Sequence, residues 1–152
     1  MKMNNSNLMM GTYTYNLDAK NRVFIPAKHR DALGENFVIF PNIQNNQCLI
    51  IATAEYLTNL IQKITQNEQI PAEDRAEIKK YLSGFGDTLT PDAQGRVVLS
   101  ANLVSWAGLG GPTVIRGCHD YAELWNATAF QEATKADAER YKTLFKQANI
   151  VM

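Results

Sequence analysis

Asp18–Gly34, DAKNRVFIPAKHRDALG, is written a second time as Asp92–Gly108, DAQGRVVLSANLVSWAG. At a constant offset the two stretches match at Asp18/Asp92, Ala19/Ala93, Arg22/Arg96, Val23/Val97, Ala27/Ala101 and Gly34/Gly108. Phe24/Val98 and Ile25/Leu99 agree in apolar kind. The order of elements around the two stretches also matches, which makes the chain an internal duplication. Neither copy is long enough to bury much core alone. The expected arrangement is therefore one pseudo-symmetric unit built from both.

The local physics is the same in each copy. Tyr13, Tyr15 and Leu17 alternate with polar neighbours, as in a strand. Asp18 then folds its carboxylate onto the backbone ahead, and Asn21 and Gly95 hold the one turn position that tolerates positive φ in both copies. Arg22-Val23-Phe24-Ile25 forms the returning strand, so a tight hairpin is predicted twice. A short helix follows, with Pro26 suited to a first helical position and Ser100 to a cap. Gly34 and Gly108 end these helices.

The apolar runs Phe37–Phe40 and Cys48–Ile51 predict buried strands on either side of a turn-rich loop, Pro41–Gln47. From Ala54 to Gln66 the spacing becomes helical, with Tyr56, Leu57, Leu60, Ile61 and Ile64 in one stripe that reads as core packing. The second copy supplies Thr113–Ile115, Ala122–Trp125 and a helix over Ala127–Ala138 in the same order. Asn67–Pro71 reads as a linker and Ala72–Ser83 as a mixed-charge helix with an apolar stripe of Ala76, Ile78 and Leu82, broken at Gly84-Phe85-Gly86. Lys135–Gln147 reads as a solvated charged helix followed by an apolar end, Ile150–Met152. The predicted organisation is a flexible extension over residues 1–10, a first repeat over 11–66, a linker helix over 67–86, and a second repeat with a C-terminal helix over 87–152.

Lys plus Arg and Asp plus Glu are both 15 in the 152 residues, so net charge gives no argument for nucleic acid. Any such role must come from local clustering. Lys20, Arg22, Lys28 and Arg30, with His29, form such a cluster, and a β-ribbon carrying these cations suits the major groove. Arg22 admits two readings, an ion pair with Asp18 or a DNA contact. Lys28 and Arg30 are likewise DNA contacts or a solvated helix face, whereas Lys20 reads as a DNA contact. Enzymatic constellations are not evident: Asp18 and Asp92 each hold their own turn, and His29 and His119 lack ligand spacing with cysteine or carboxylate. Gly108–Gly111 lacks the lysine of a phosphate loop. Cys48 and Cys118 read as reduced, buried cysteines of a cytoplasmic protein. No cofactor or metal site is predicted.

The segments GTYTYNLDAKNRVFIPAKHRDAL and LTPDAQGRVVLSANL resemble the two D-x-x-x-R repeats of MraZ proteins, which group with AbrB-like DNA-binding modules. Glu123-Leu124-Trp125 after the second repeat strengthens the resemblance. It implies an α+β, β-rich fold: a pseudo-symmetric double-split β-barrel of two AbrB-like repeats with flanking helices. It further implies a transcriptional regulator that binds double-stranded DNA at short direct repeats upstream of a division and cell-wall gene cluster. Such proteins assemble as homo-oligomeric rings and lie at the nucleoid. The family's arginine maps onto Arg22 and Arg96. The DNA-binding set expected is Lys20, Asn21, Arg22, Lys28, Arg30 and Arg96, with Asp18, Asp92 and Gly95 as turn residues. The alternative is a ring-forming structural or interaction protein whose hairpins serve assembly. The chain departs from the family pattern at Asn21, where glycine is common, and at Ser100, where proline is common. Lys20, Lys28 and Arg30 become Gln94, Asn102 and Val104 in the second copy, so the first half is expected to do most of the DNA reading.

Overall fold

A computed structural model describes residues 8–42, 44 and 47–152. Its strands are β1 Thr12–Leu17, β2 Arg22–Phe24, β3 Phe37–Pro41, β4 Leu49–Ala52, β5 Asp87–Leu89, β6 Arg96–Val98, β7 Gly111–Gly117 and β8 Ala122–Asn126. Its helices are α1 Ala27–Leu33, α2 Ala54–Gln66, α3 Ala72–Phe85, α4 Ala101–Trp106, α5 Ala127–Thr134 and α6 Asp137–Gln147. The fold is α+β with antiparallel pairing throughout.

The two strands flanking each turn separate rather than pair, which corrects the hairpin expectation. β1 pairs with β7, and β2 pairs with β6. The main sheet runs β1-β7-β8-β4-β3-β5, and β2-β6 is a separate ribbon. Exchanging β1 with β5, β3 with β7 and β4 with β8 reproduces the same order read backwards. The duplication is therefore a structural pseudo-two-fold in which each copy completes the other's sheet. This is why local sequence misled: the turn closes, but the hydrogen-bond partners of both strands come from the other copy. β1 and β5 remain as sheet edges, so hydrogen bonding does not close the six strands into a barrel.

Both faces of the sheet are covered, which accounts for the unbroken apolar runs in β3 and β4. On one face Phe37, Ile39, Leu49, Ile51, Ile115 and Leu124 pack under the ribbon, α1 and α4, through Val23, Val97, Ile25, Leu99, Leu33 and Leu103. On the other, Val38, Phe40, Ile50, Val114 and Trp125 pack under α2, α3 and α5, the predicted stripe of Tyr56, Leu57, Leu60, Ile61 and Ile64 included.

The helix ends show where single residues decide. Ser100 caps α4, its Oγ accepting from Leu103 N–H at 3.3 Å. Pro26 stands one place outside α1 as its N-cap residue, not at the first helical position. α3 continues through Gly84 to Phe85 and stops at Gly86, later than the expected break. A Cβ at Gly86 would lie 2.7 Å from Leu82 O and 2.8 Å from Ile39 O, so glycine is required where the helix end meets β3. The helix expected over Ala127–Ala138 ends at Thr134, and α6 starts afresh at Asp137. Residues 1–7 of the expected N-terminal extension, and residues 43, 45 and 46 of the Pro41–Gln47 loop, lie outside the described residues. Met9 is buried and exchanges backbone hydrogen bonds with His119 at 2.8 and 2.9 Å. Packed chain thus reaches further back than the expected boundary at Gly11.

Candidate nucleic-acid interface

Each turn is built by its aspartate. Asp18 N–H donates to Arg22 O at 3.0 Å, and Asn21 N–H donates to Asp18 O at 3.0 Å. Asp18 Oδ1 accepts from the backbone N–H groups of Lys20 and Arg22, both at 2.9 Å, while Oδ2 accepts from Arg22 Nε at 2.7 Å. In the second copy Asp92 Oδ1 accepts from Gln94 N–H at 2.9 Å and Arg96 N–H at 3.0 Å, and Oδ2 accepts from Arg96 Nε at 3.0 Å. Asn21 takes φ 58° and Gly95 φ 83°, the left-handed position foreseen in both turns. The backbone N–H of Arg22, then its guanidinium and the Lys20 N–H, hold the Asp18 carboxyl below the usual carboxylate range. For Asp92 the backbone N–H of Arg96 leads, followed by that of Gln94 and the Arg96 guanidinium.

The ribbon then places both arginines. Its register sets Arg22 opposite Val98, Val23 opposite Val97 and Phe24 opposite Arg96. Val23 and Val97 point inward and are buried. Strand alternation puts Arg22, Phe24, Arg96 and Val98 together on the outward face. Val98 is 60% exposed there. Each arginine gives Nε to its aspartate, and among the described residues neither has a partner for its terminal Nη groups. The turns also lock onto the opposite copy: Ile25 N–H donates to Gly95 O at 2.9 Å, and Leu99 N–H to Asn21 O at 2.8 Å.

Lys20 and Lys28 are exposed, on the first turn and on α1. Arg30 reaches the second turn instead. Its Nε donates to Ile25 O at 2.9 Å, its Cζ lies 5.4 Å from the Phe24 ring centre, and a Cβ on Gly95 would sit 2.8 Å from that Cζ. His29, read as part of the basic cluster, is fully buried. Its Nε2 lies 3.2 Å from Met10 O and its ring meets Tyr13 edge-on at 5.6 Å. Burial pushes its pKa below 6.5, the Met10 carbonyl pulling the other way, so the ring is neutral at pH 7. Amphipathic spacing in α1 was the signal: His29 shares its inward face with Leu33, four residues on.

Two further polar features were not foreseen. Glu123, buried in β8, accepts from Arg116 Nε at 3.1 Å, Arg116 Nη2 at 2.6 Å and Trp125 Nε1 at 3.0 Å. All three bonds fall on Oε1, and the ion pair with Arg116 ties β7 to β8 and compensates the buried charge. Arg116 also lies 3.9 Å from Asp137, which anchors the start of α6. Cys48 is buried and Cys118 half-buried, both free, and burial pushes their thiols up to about 12 and about 11. Both are protonated thiols at pH 7. Among the described residues there is no cluster of three His, Cys, Asp or Glu side chains able to hold a metal, and no helix long and apolar enough to cross a membrane.

The family model of the antitoxin-like MraZ protein matches residues 8–78 and 86–148, one match on each side of the end of α3. The chain is 36% identical over 134 residues to the transcriptional regulator MraZ of Mycobacterium sp. (strain KMS), covering 88% of this chain and 92% of the relative. The MraZ regulator of Rhodococcus jostii (strain RHA1) is 35% identical over the same length and coverage. That of Mycobacterium avium (strain 104) is 32% identical over 141 residues, 93% of this chain and 96% of the relative.

Proposed function

The chain belongs to the MraZ family, and on that premise we propose that it is a sequence-specific, DNA-binding transcriptional regulator that reads DNA with the β2–β6 ribbon. One observation carries the reading: two arginines, each oriented by its own aspartate, stand on one outward ribbon face with no partner for their Nη groups among the described residues. The two readings of Arg22 then merge. The ion pair with Asp18 uses Nε and fixes the guanidinium plane, and the Nη pair is left to meet a guanine edge or a phosphate. A two-stranded ribbon fits the major groove. Val98, exposed between the arginines, suits a thymine methyl group. Lys20 and Lys28 supply phosphate contacts that set register. Arg30 holds the second turn and keeps its own Nη groups for the backbone.

The finer reading follows the family. The targets are short direct repeats in the promoter of a division and cell-wall gene cluster, bound by a homo-oligomeric ring at the nucleoid. A neutral chain gains from such an assembly, because several modest contacts made together raise overall affinity through effective concentration.

The test is a fluorescence-anisotropy titration on the chain's own upstream DNA across a range of salt, beside a scrambled duplex. Specific binding with a steep log–log salt slope is expected, each neutralised phosphate contributing about −0.9. Equal binding to both duplexes, or a flat salt response, sinks the reading and leaves the ribbon to assembly.

A further inference from the structure

The sheet face away from the ribbon is filled differently in the two copies, and the difference leaves a cavity in the first. Thr14 and Thr88 are equivalent in the duplication and pair with Val114 and Val38, so Phe40 is the counterpart of Arg116. Arg116 stands opposite Glu123 in the sheet, and Phe40 stands opposite Ile50. In the second copy the Arg116 guanidinium occupies this place. It binds Glu123, lies 5.2 Å from the Phe130 ring centre and reaches Asp137 at 3.9 Å. Thr53 and Asn126 are the N-caps of α2 and α5, and counting on equally from each sets Ile64 against Asp137. The charged cluster Arg116, Glu123 and Asp137 is therefore replaced in the first copy by Phe40, Ile50 and Ile64.

Those apolar residues border a cavity of about 220 Å³. Buried Phe40, Ile50 and Leu82 form its floor, and half-buried Tyr56, Leu60 and Tyr121 form its wall. The Tyr56 and Tyr121 rings stand 5.4 Å apart at 39°. Among the described residues, no charged side chain lines the space. Asn42 brings an amide to one end of it. The Asn42 Oδ1 accepts from Gln44 N–H at 2.9 Å, but among the described residues Nδ2 meets only Cys48 Sγ, a weak acceptor, at 3.4 Å. Burial raises the pKa of the Tyr56 and Tyr121 hydroxyls, so both stay protonated and able to donate.

We propose that this cavity binds an uncharged aromatic compound of one or two rings that carries a hydrogen-bond acceptor. Size sets the number of rings, since an apolar cavity of about 150 Å³ holds benzene. Phe40, Tyr56 and Tyr121 offer the ring faces and edges that an aromatic body packs against. A charged ligand is excluded because nothing lining the space would pair with it. An acceptor such as a carbonyl oxygen gives the Asn42 amide the partner that a thiol supplies poorly, and a few such polar groups in an apolar pocket fix a ligand's orientation. The cavity lies on the opposite face of the sheet from the ribbon, and the inference stands whether or not the ribbon reads DNA.

Calorimetric titration of the full chain with acetophenone, beside melting curves and hydrogen exchange, tests it. Acetophenone binds, raises the melting temperature and slows exchange in α2. Ethylbenzene, which lacks the carbonyl oxygen, binds about five- to tenfold more weakly, the loss expected for one hydrogen bond. Benzoate, which carries a charge, does not bind. Leu60→Trp fills the space from its half-buried wall and abolishes binding. Asn42→Leu removes the donor, so acetophenone falls to the affinity of ethylbenzene while ethylbenzene still binds, a split that loss of fold would not produce. Absence of any acetophenone binding would overturn the proposal. So would ethylbenzene or benzoate binding as tightly as acetophenone, or acetophenone binding unchanged in both variants, which would put the compound elsewhere on the protein.

Discussion

The two turns share a skeleton and differ in dress. Asp18 and Asp92 make the same set of hydrogen bonds to the residues two and four ahead, and each orients its own arginine. Around that skeleton, Lys20 becomes Gln94, Lys28 becomes Asn102, His29 becomes Leu103 and Arg30 becomes Val104. What stays the same is what the backbone needs in order to reverse and present an arginine. What changes is charge, and it changes unevenly: Leu103 is buried, and Val104 and Trp106 pack partly buried against the core. The halves are not independent, however, because Arg30 of the first copy lies over Gly95 of the second. By the pseudo-two-fold, a cation at Val104 would lie over Asn21, so it is the first turn that lacks a cation from the opposite helix.

The largest effect should come from breaking the comparison at its arginines. If the first turn is the stronger reader, Arg22→Ala costs about 1–3 kcal/mol of DNA affinity per base-edge contact, and Arg96→Ala costs less. Lys20→Ala should reduce binding uniformly across sequences and lower the salt slope by about one phosphate's worth. Anisotropy with all three variants, beside their melts and sizes in solution, decides it. Loss of binding in Arg96→Ala with fold and assembly intact, against normal binding in Arg22→Ala, reverses the assignment.

Next comes the turn residue. Gly95→Ala forces a Cβ into the left-handed region and against the Arg30 guanidinium, so a stability loss of about 1–2 kcal/mol is expected. Asn21→Gly keeps the conformation that Asn21 already tolerates and should change stability by only a few tenths of a kcal/mol. Chemical denaturation of the two variants checks the pair. A Gly95→Ala protein as stable as the parent would mean that Arg30 swings away freely.

These contrasts also show which parts of the molecule were legible in the sequence. The duplication, the αL positions at Asn21 and Gly95, the Ser100 cap, α2 and its packing stripe are all local, so residue spacing reported them. The Asp18–Arg22 contact was also local, with both of its readings visible. Strand pairing was not legible, because β1 and β2 are completed by β7 and β6 from the far end of the chain. The path of Arg30 was hidden for the same reason: a helix in one copy lies over the turn of the other. Glu123 was visible as a residue, but its burial follows from a sheet covered on both faces.

The aspartates come third. Their carboxyls are held below the usual range, so the stability they contribute is present above the unfolded value of 3.8 and is lost as pH falls through the folded one. Asp18→Asn and Asp92→Asn should each lower the melting temperature at pH 7 and reduce its fall toward acid pH. In DNA binding they should part, Asp18→Asn being the more damaging because it frees Arg22 from its fixed plane. Equal losses of affinity would indicate that both arginines read DNA alike.

The smallest effect concerns His29, whose counterpart is the buried Leu103. In a fully buried site, with Met10 O and the Tyr13 ring as its neighbours, Nδ1 has no partner among the described residues. Protonation would add a charge and a donor that nothing in the site accepts. Because the folded pKa lies below 6.5, the unfolded chain takes up the proton first. The contribution of the neutral ring is therefore complete above pH 6.5 and is lost as pH falls from there through the folded value. His29→Leu writes the second copy's residue into the first. It gives up the bond to Met10 O, but Met10 is 63% exposed and water can replace the donor, so the cost at pH 7.5 should be about 1 kcal/mol or less. Melting curves between about pH 5 and 7.5, where histidine changes charge, should then slope less steeply in the variant than in the parent. Identical slopes would show that the acid response arises elsewhere, with the Asp18 and Asp92 turns as the next groups to separate by the substitutions above.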